Sequence, residues 1–334
     1  MNQREIAKLA GVSVATVSRV INNKGNVSEE TLQRVLKVIE ENMYVQNMYA
    51  RNLRTSNSKI IGFLISNLSN PFFAEVYAGL DPACREQGYT VLCGITNEDP
   101  IQEKEAIEMF IKYRVDGIVA CFVNPSPTTL KMLDNFGIKV IMFDRVIDRY
   151  NADTVTFDNI QGGKMQVEYL AKLGHKKIAV IHGLPDSVGR ERLKGYELGM
   201  ESSGIKVRQE YVVSGRYTEE GAYEATVCLM NMNDKPTAII AHNNLMCMGA
   251  YKAIKDLGID IPNEVSLIGF DDFDSAAYLQ PSITLISKPI TEMGQESAKM
   301  LIQRIKNKSQ KDKRSKVFPV YLIERNSCAQ RSNM

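Results

Sequence analysis

The sequence predicts a small all-α head with a helix-turn-helix, followed by a two-lobed α/β body with parallel sheets. Residues 1–44 contain three segments whose apolar residues recur at helical spacing. From Ile60 onward, short β-rich runs alternate with amphipathic helical segments, a pattern typical of parallel sheets covered by helices on both faces. The alternation continues for about 275 residues, more than one sheet needs, so we expect two lobes with a ligand cleft between them.

The first two predicted helices flank Gly11-Val12-Ser13. Gly11 supplies the unrestricted backbone of a sharp helix end, and Ser13 is a natural N-cap for the next helix. The second helix has one apolar face and one face that is small, polar and cationic, formed by Ala15, Ser18, Arg19 and Asn22. That polar face suits a DNA major groove, where arginine can bridge two guanine acceptors, although a plain solvated face would show the same pattern.

A third helix is predicted to begin after Ser28, its N-cap, with an apolar stripe of Leu32, Val35, Leu36 and Ile39. Residues 46–58 are polar and basic, and Leu53 is their one conspicuous apolar residue. This stretch could be a passive linker, or a short helix that orders only when DNA and a partner subunit stabilise it.

In the body, the β-rich runs predict strands and the amphipathic runs predict helices. The predicted strands are 60–65, 90–95, 117–122, 139–143, 177–182, 237–241, 265–270 and a last strand, VFPVYLI, at 317–323. The predicted helices lie around 73–87, 101–113, 161–173, 189–203, 219–232, 244–257 and 290–306. The basic segment 306–316 is interpreted as a solvated loop before the last strand, with a second nucleic-acid patch as the alternative.

Charge is unevenly distributed along the 334 residues, whose formal net charge is +2. Residues 1–58 contain eight Lys or Arg against five acids, and the remainder contains 33 basic against 34 acidic residues. A basic head on a near-neutral body favours a polyanionic partner at one end only.

The six cysteines are scattered, without a C-x-x-C pair or nearby histidine ligands, so we expect reduced core residues rather than disulfides or a zinc site. The polar N-terminus and the absence of a long apolar run predict a cytoplasmic protein with no membrane partner.

Catalytic signatures are weak. Two of the three histidines, His182 and His242, end predicted strands and could line the cleft, but neither has an evident nucleophile partner. Gly162-Gly163 does not follow a proper strand and turn, so a dinucleotide site is poorly supported. We therefore expect no enzyme activity, no cofactor and no metal.

The run AGVSVATVSRVINN, followed by V-S-E-E-T, resembles the head of the LacI/GalR family of bacterial transcription regulators. The resemblance continues over essentially the whole chain through SNPFFAEV, DGIVA, FDR, RERLKGY, TAIIAHNN and SLIGFDD. It implies a helix-turn-helix domain at 1–46, a hinge helix or linker at 47–58, and at 59–334 a type I, periplasmic-binding-protein-like body for effector binding and dimerisation. The first lobe would be about 59–158 plus 289–318, and the second about 159–288 plus 319–334.

Carried over position by position, the resemblance implies two sets of site residues. The DNA-binding set is Val14, Ala15, Thr16, Ser18, Arg19, Asn22, Asn23 and Leu53, in which Val14 and Ala15 set operator preference and Leu53 wedges into the minor groove. The effector-binding set is Ser66, Asn70, Phe72, Phe73, Asp144, Arg145, Arg190, Tyr217, Asn243, Asp271 and Lys288.

Aromatic faces with Asp, Asn and Arg suit a polyol. Simpler roles exist for several residues, since the phenylalanines could be core and Asp271 a helix cap. Arg190 could pair with Glu191 or Glu220. Lys288 stands where relatives commonly place Gln, so it could mark an anionic effector, or it could be paired with a neighbouring acid.

The predicted function is a homodimeric repressor of carbohydrate-utilisation genes that binds a pseudo-palindromic double-stranded operator and responds to a sugar or sugar-phosphate effector. The alternatives are a repressor whose corepressor is a purine or a phosphocarrier protein, and a solute-binding protein.

Overall fold

A computed structural model describes residues 1–21, 25–44, 57–307 and 312–331, and the chain divides into two compact units, Met1–Ser58 and Lys59–Met334. The helices are α1 (Gln3–Ala10), α2 (Val14–Ile21), α3 (Glu29–Glu41), α4 (Pro71–Glu86), α5 (Pro100–Lys112), α6 (Pro127–Asn135), α7 (Asn159–Lys172), α8 (Ser187–Ser202), α9 (Glu219–Met230), α10 (Asn244–Asp256) and α11 (Ile290–Lys306). The strands are β1 (Ile60–Ile65), β2 (Thr90–Ile95), β3 (Gly117–Ala120), β4 (Lys139–Phe143), β5 (Asp153–Phe157), β6 (Ile178–His182), β7 (Val212–Ser214), β8 (Ala238–Ala241), β9 (Ser266–Phe270), β10 (Thr284–Ser287), β11 (Ser315–Phe318) and β12 (Tyr321–Ile323).

In the head unit, the turn between α1 and α2 has the predicted chemistry. Gly11 ends α1 with a left-handed backbone (φ 65°), and the Ser13 hydroxyl accepts a hydrogen bond from the Thr16 amide at 3.1 Å. Ser28 occupies the N-cap position of α3, but its hydroxyl donates to the Thr31 hydroxyl at 2.9 Å and caps no backbone amide. The prediction that the Ser28 side chain caps α3 was therefore wrong.

The core of the head is small. Ile6, Ala10, Val17 and Val35 are buried where the three helices meet. Leu36, predicted to lie on the apolar stripe of α3, is instead 42% exposed, because the buried row of that helix is centred on Val35.

The body unit contains two six-stranded sheets with helices on both faces. The first sheet has the order β11-β5-β4-β3-β1-β2 and is entirely parallel, with Ile61 paired to Val91 and Gly117. The second sheet has the order β12-β10-β9-β8-β6-β7, and only β12 runs antiparallel within it. The predicted fold class, a helical head followed by a two-lobed α/β body, is confirmed.

The largest departure from the predicted elements concerns the last strand. The run predicted as one strand at 317–323 is two strands in different sheets, β11 beside β5 and β12 beside β10. Pro319 lies between them and lacks the amide that an uninterrupted strand would need. Strands β5, β7 and β10 and helix α6 were not predicted.

The chain passes between the sheets three times, between β5 and α7, between β10 and α11, and between β11 and β12. Each sheet lies between two apolar clusters of buried side chains. Ser66, Asp144, Asp271 and Lys288 come directly after β1, β4, β9 and β10, so these side chains stand at the carboxyl ends of strands from both sheets.

The cysteines are not all core residues. Cys84, Cys121 and Cys247 are buried and Cys328 is half-buried, whereas Cys93 and Cys228 are exposed, contrary to the expectation for the set. Within the described parts of the chain, no helix combines the length and the apolar character that crossing a membrane requires.

Candidate functional site

A cavity of about 470 Å³ lies where the carboxyl ends of strands from both sheets meet. All but one of the residues expected to bind an effector line it: Ser66, Asn70, Phe72, Phe73, Asp144, Arg145, Tyr217, Asn243, Asp271 and Lys288. The exception is Arg190. Its side chain is exposed and its guanidinium donates to the Pro185 carbonyl at 2.7 Å.

Arg192, rather than Arg190, is the arginine of α8 that lines the cavity. Two residues along a helix turn a side chain by about 200°, so Arg190 and Arg192 face opposite sides of α8. The signal was present in the sequence, because Arg192 falls on the same row, at spacing four, as the buried Val188 and Tyr196. Its Nε donates to the side-chain oxygen Oδ1 of Asn159 at 3.0 Å, and its guanidinium lies 3.7 Å from the centre of the Phe270 ring.

The Asp271 carboxylate forms ion pairs with two buried cations. Its Oδ1 lies 2.8 Å from Lys288 Nζ and 3.3 Å from Arg192 Nη2, and all three side chains are nearly inaccessible. The Lys288 ammonium also lies over the rings of Phe72 and Phe157, at 4.4 and 4.3 Å from their centres. The ammonium therefore has a carboxylate and two aromatic faces as partners within the protein.

Burial and charge set the pKa directions in this cluster. Burial raises the pKa of Asp271, but the charges of Arg192 and Lys288 outweigh it, so the pKa lies below its ordinary value. Burial also lowers the pKa of Lys288, and Asp271 and Asp144 oppose this shift only in part. The pKa of Asp144 is raised by burial. Its Oδ1 is 3.9 Å from Lys288 Nζ, a looser contact than that of Asp271, so Asp144 keeps acceptor capacity facing the cavity.

Arg145 lies between one carboxylate of each lobe. It forms a two-pronged ion pair with Glu98, at 2.7 Å for each nitrogen–oxygen contact, and its Nε lies 3.0 Å from Asp186 Oδ2. Burial alone would raise the pKa of Glu98, but the ion pair with Arg145 more than offsets it and brings the pKa below its ordinary value.

Two asparagines place amide groups at the cavity through helix caps. Asn70 caps α4 by accepting the Phe72 amide at 3.0 Å, and Asn243 caps α10 by accepting the Met246 amide at 2.8 Å. Asn244 Nδ2 donates across the cleft to Asn70 Oδ1 at 2.9 Å. The side-chain oxygens of Asn70 and Asn243 thus already accept hydrogen bonds within the protein. The side-chain NH2 groups of these residues can donate hydrogen bonds to a ligand.

Backbone strain is concentrated at this cavity. Nine described non-glycine residues have positive φ, and six of them line the cavity: Asn97, Glu98, Asp144, Arg216, Tyr217 and Asp271. Each such residue costs about 1–3 kcal/mol, so the surrounding packing must hold it in place. Neither this strain nor Glu98, Asp186 or Arg192 was identified from the sequence.

The phenylalanines have both of the roles considered for them. Phe72 and Phe73 belong to the core of the first lobe, where their ring centres are 5.1 Å apart in an edge-to-face pair, and they also line the cavity. His242 is fully buried and does not line it, and burial holds its pKa well below the ordinary value. Gly163 lies in α7 against the backbone of Arg192, and this close helix packing explains the glycine without a dinucleotide.

In the head, the residues expected to read DNA are distributed along α2. Val14, Ala15 and Arg19 are exposed, whereas Thr16 and Ser18 are half-buried. Asn22, Asn23, Leu53 and most of the predicted hinge lie outside the described residues.

Known families match both units. Residues 3–47 match the model of bacterial regulatory proteins of the lacI family, and residues 58–326 match that of periplasmic binding proteins and the sugar binding domain of the LacI family. The HTH-type transcriptional repressor PurR of Klebsiella pneumoniae (strain 342) is 32% identical over 329 residues, covering 98% of this chain and 96% of that protein. PurR of Photobacterium profundum is 31% identical over 324 residues, covering 96% of this chain and 97% of that protein.

Solved structures agree with these matches. The Lac repressor dimer bound to operator and the anti-inducer ONPF superposes with a TM-score of 0.87 at 25% identity, over 98% of this chain and 99% of that one. The complex of the transcriptional regulator CelR with cellobiose gives 0.76 at 27% identity, with the same coverage.

Proposed function

We infer the function from one premise: the chain belongs to the LacI family of bacterial regulatory proteins, whose members similar to it are DNA-binding transcriptional repressors and not enzymes. Operator DNA and a small-molecule effector are the partners that this family implies. We propose that this repressor acts as a homodimer on a pseudo-palindromic operator, and that a neutral sugar bound in the cavity changes its operator affinity.

The pairing of the buried cations carries the proposal for the effector. Lys288 and Arg192 share Asp271, and Arg145 is paired with Glu98. An anionic effector would have to compete with these carboxylates in a desolvated site, whereas a neutral ligand leaves them undisturbed. We therefore propose the neutral sugar over the sugar phosphate.

A polyol can also form hydrogen bonds with the polar groups of the cavity other than these paired cations. The Asp144 carboxylate can accept hydrogen bonds from two adjacent hydroxyls, and the amides of Asn70 and Asn243 can donate to ring or hydroxyl oxygens. The CelR–cellobiose complex is a sugar-bound relative by structure.

A purine is the second candidate, favoured by the relatives named PurR. A flat base needs free aromatic faces on which to stack. One face of Phe72 is covered by Lys288 and one face of Tyr217 by the Arg145 guanidinium, at 5.3 Å from the ring centre, so each ring has at most one face left. One free face is enough for stacking, so the rings do not decide between the two ligands. The Asp144 carboxylate, which can accept from two adjacent hydroxyls, favours the sugar.

Calorimetry tests the effector class. The full chain is titrated with ribose, glucose and cellobiose, with ribose 5-phosphate and glucose 6-phosphate, and with hypoxanthine and guanine. We expect a neutral sugar to bind, and Asp144→Asn to weaken it about tenfold through loss of a charge-assisted hydrogen bond. The control Asp148→Asn changes an exposed carboxylate of the same loop and should have no effect. A phosphorylated sugar that binds tighter than its neutral parent, or a purine that binds tighter than every sugar, would contradict the proposal.

Operator reading is tested with duplexes selected from a random library and measured by fluorescence anisotropy over a range of salt concentrations. Arg19→Ala should cost about 1–3 kcal/mol at the selected sequence. Lys37→Ala removes an exposed charge from α3 and serves as the control, for which we expect a small change at most. Equal losses for the two variants would mean that Arg19 contributes only general charge.

A further inference from the structure

Asn159 is a buried asparagine that contacts the cavity wall from behind. It is 1% exposed and does not itself line the cavity. Its side-chain oxygen Oδ1 accepts from Arg192 Nε at 3.0 Å, and its Nδ2 donates to Glu191 Oε2 at 2.9 Å. These two bonds fix which end of the amide faces Arg192, because only the oxygen can accept from Nε and only the NH2 group can donate to the carboxylate. One side chain thus joins two consecutive residues of α8.

The backbone of Asn159 is fixed where the chain passes from one sheet to the other. Asn159 is the first residue of α7, and Asp158, which alone separates β5 from α7, caps that helix with its side chain. Helices α7 and α8 are in backbone contact, since a Cβ at Gly195 would lie 2.2 Å from the Ile160 carbonyl oxygen. Helices packed this closely leave little freedom in the distance between Asn159 and Arg192.

Arg192 has five N–H donors, and four of them are directed at the protein. Nε contacts Asn159, Nη1 contacts the His242 carbonyl oxygen and Asp271 Oδ2, and Nη2 contacts Asp271 Oδ1. The Asp271 contacts, at 3.4 and 3.3 Å, are long for charge-assisted hydrogen bonds, so they do not fix the guanidinium plane closely. The remaining donor, on Nη2, has no partner among the residues described and is left for a ligand in the cavity.

We propose that Asn159 is a positioning residue for the effector site: it holds the guanidinium plane of Arg192 so that the remaining Nη2 donor is offered to the cavity, and it does not itself contact the effector. Glu191 holds Asn159 in the orientation that this role requires. The inference rests on the proposed function in one respect, that the effector occupies this cavity. It assigns a role in effector binding to a residue outside the cavity lining.

The Nε–H group of Arg192 reports this role in the full chain, by a measurement that needs no ligand. With isotope-labelled arginine, its magnetic resonance signal is identified by its loss in Arg192→Lys, and its exchange with solvent is measured. In Asn159→Ala we expect exchange about tenfold faster than in the wild type, because Nε loses a hydrogen bond with a charged donor. The Nε–H of Arg145, which contacts Asp186, should be unchanged and would reveal a general loosening of the fold.

A double variant distinguishes the hydrogen bond from the mere presence of a side chain. Asn159→Asp with Glu191→Gln exchanges the amide and the carboxylate between the two positions, so the net charge and an oxygen for Arg192 Nε are both kept. We expect its exchange rate to return close to that of the wild type. Asn233→Ala, at an exposed asparagine of the same lobe, is the matched control and should have no effect. The proposal is overturned if exchange at Arg192 is unchanged in Asn159→Ala, is as fast in the double variant, or is matched by equal acceleration at Arg145.

Calorimetry with cellobiose, glucose and ribose adds a functional measurement. Asn159→Ala should weaken the binding of a sugar that the wild type binds by about tenfold, and the double variant should restore it. A sugar that binds Asn159→Ala as tightly as the wild type would also overturn the proposal. If none of these sugars binds the wild type, the proposed effector class fails, and the exchange measurement still decides the role of Asn159.

Discussion

The fully buried carboxyl group of Glu103, in α5, should make the stability of the protein depend on pH. Its side chain accepts the Val123 amide in the loop after β3, and burial raises the pKa of Glu103 from 4.5 to about 7. Because the pKa in the folded state is higher than in the unfolded state, the stability that this group contributes is fully present below pH 4.5. It is lost as the pH rises through about 7, and the shift corresponds to about 3 kcal/mol.

Glu103→Gln removes this titration. The variant's free energy of unfolding, minus that of the wild type, should therefore rise by about 3 kcal/mol between pH 4.5 and pH 8. Urea unfolding followed by circular dichroism at several pH values gives this difference. Glu105→Gln, an exposed change on the same helix, is the control and should run parallel to the wild type. A pH-independent difference for Glu103→Gln would refute the reasoning.

Two further predictions concern the cavity. Asp271→Asn leaves Lys288 and Arg192 buried without their shared carboxylate, and we expect urea unfolding to show a loss of about 3–5 kcal/mol. Adding Lys288→Met should recover part of that loss, and a double variant no more stable than the single one would contradict the pairing. Gly183→Ala places a Cβ where the Tyr217 ring lies, so stability should fall by about 1–3 kcal/mol in the same assay, and an unchanged midpoint would show that the ring moves freely.

Much of the architecture could be predicted because buried parallel strands are continuous apolar runs. IIGFLI and KVIMF are of this kind, and their predicted bounds match β1 and β4. Strand β5, with the sequence DTVTF, was not predicted because three of its five residues are polar and break the apolar run. Asp153 is nevertheless buried, because it forms ion pairs with Arg304 and Arg314. No local sequence pattern indicates ion-pair partners that lie about 150 residues away in the chain.

The same limit applies to the cavity. Residues that follow strands could be expected near one another, since the carboxyl ends of parallel strands share one edge of each sheet. Glu98 contacts Arg145 within the first lobe from 47 residues away in the chain, and Asp186 contacts it from the second lobe. Their role depends on tertiary distances that spacing along the chain does not encode.

The three passages between the sheets restrict how the body can deform. Asp158 alone separates β5 from α7, and two residues separate each of the other pairs, with Pro289 and Pro319 among them. Proline fixes one of its two backbone torsions, so few degrees of freedom remain at these points. Any change in the angle between the lobes must therefore be accommodated by the few free backbone torsions of these five residues.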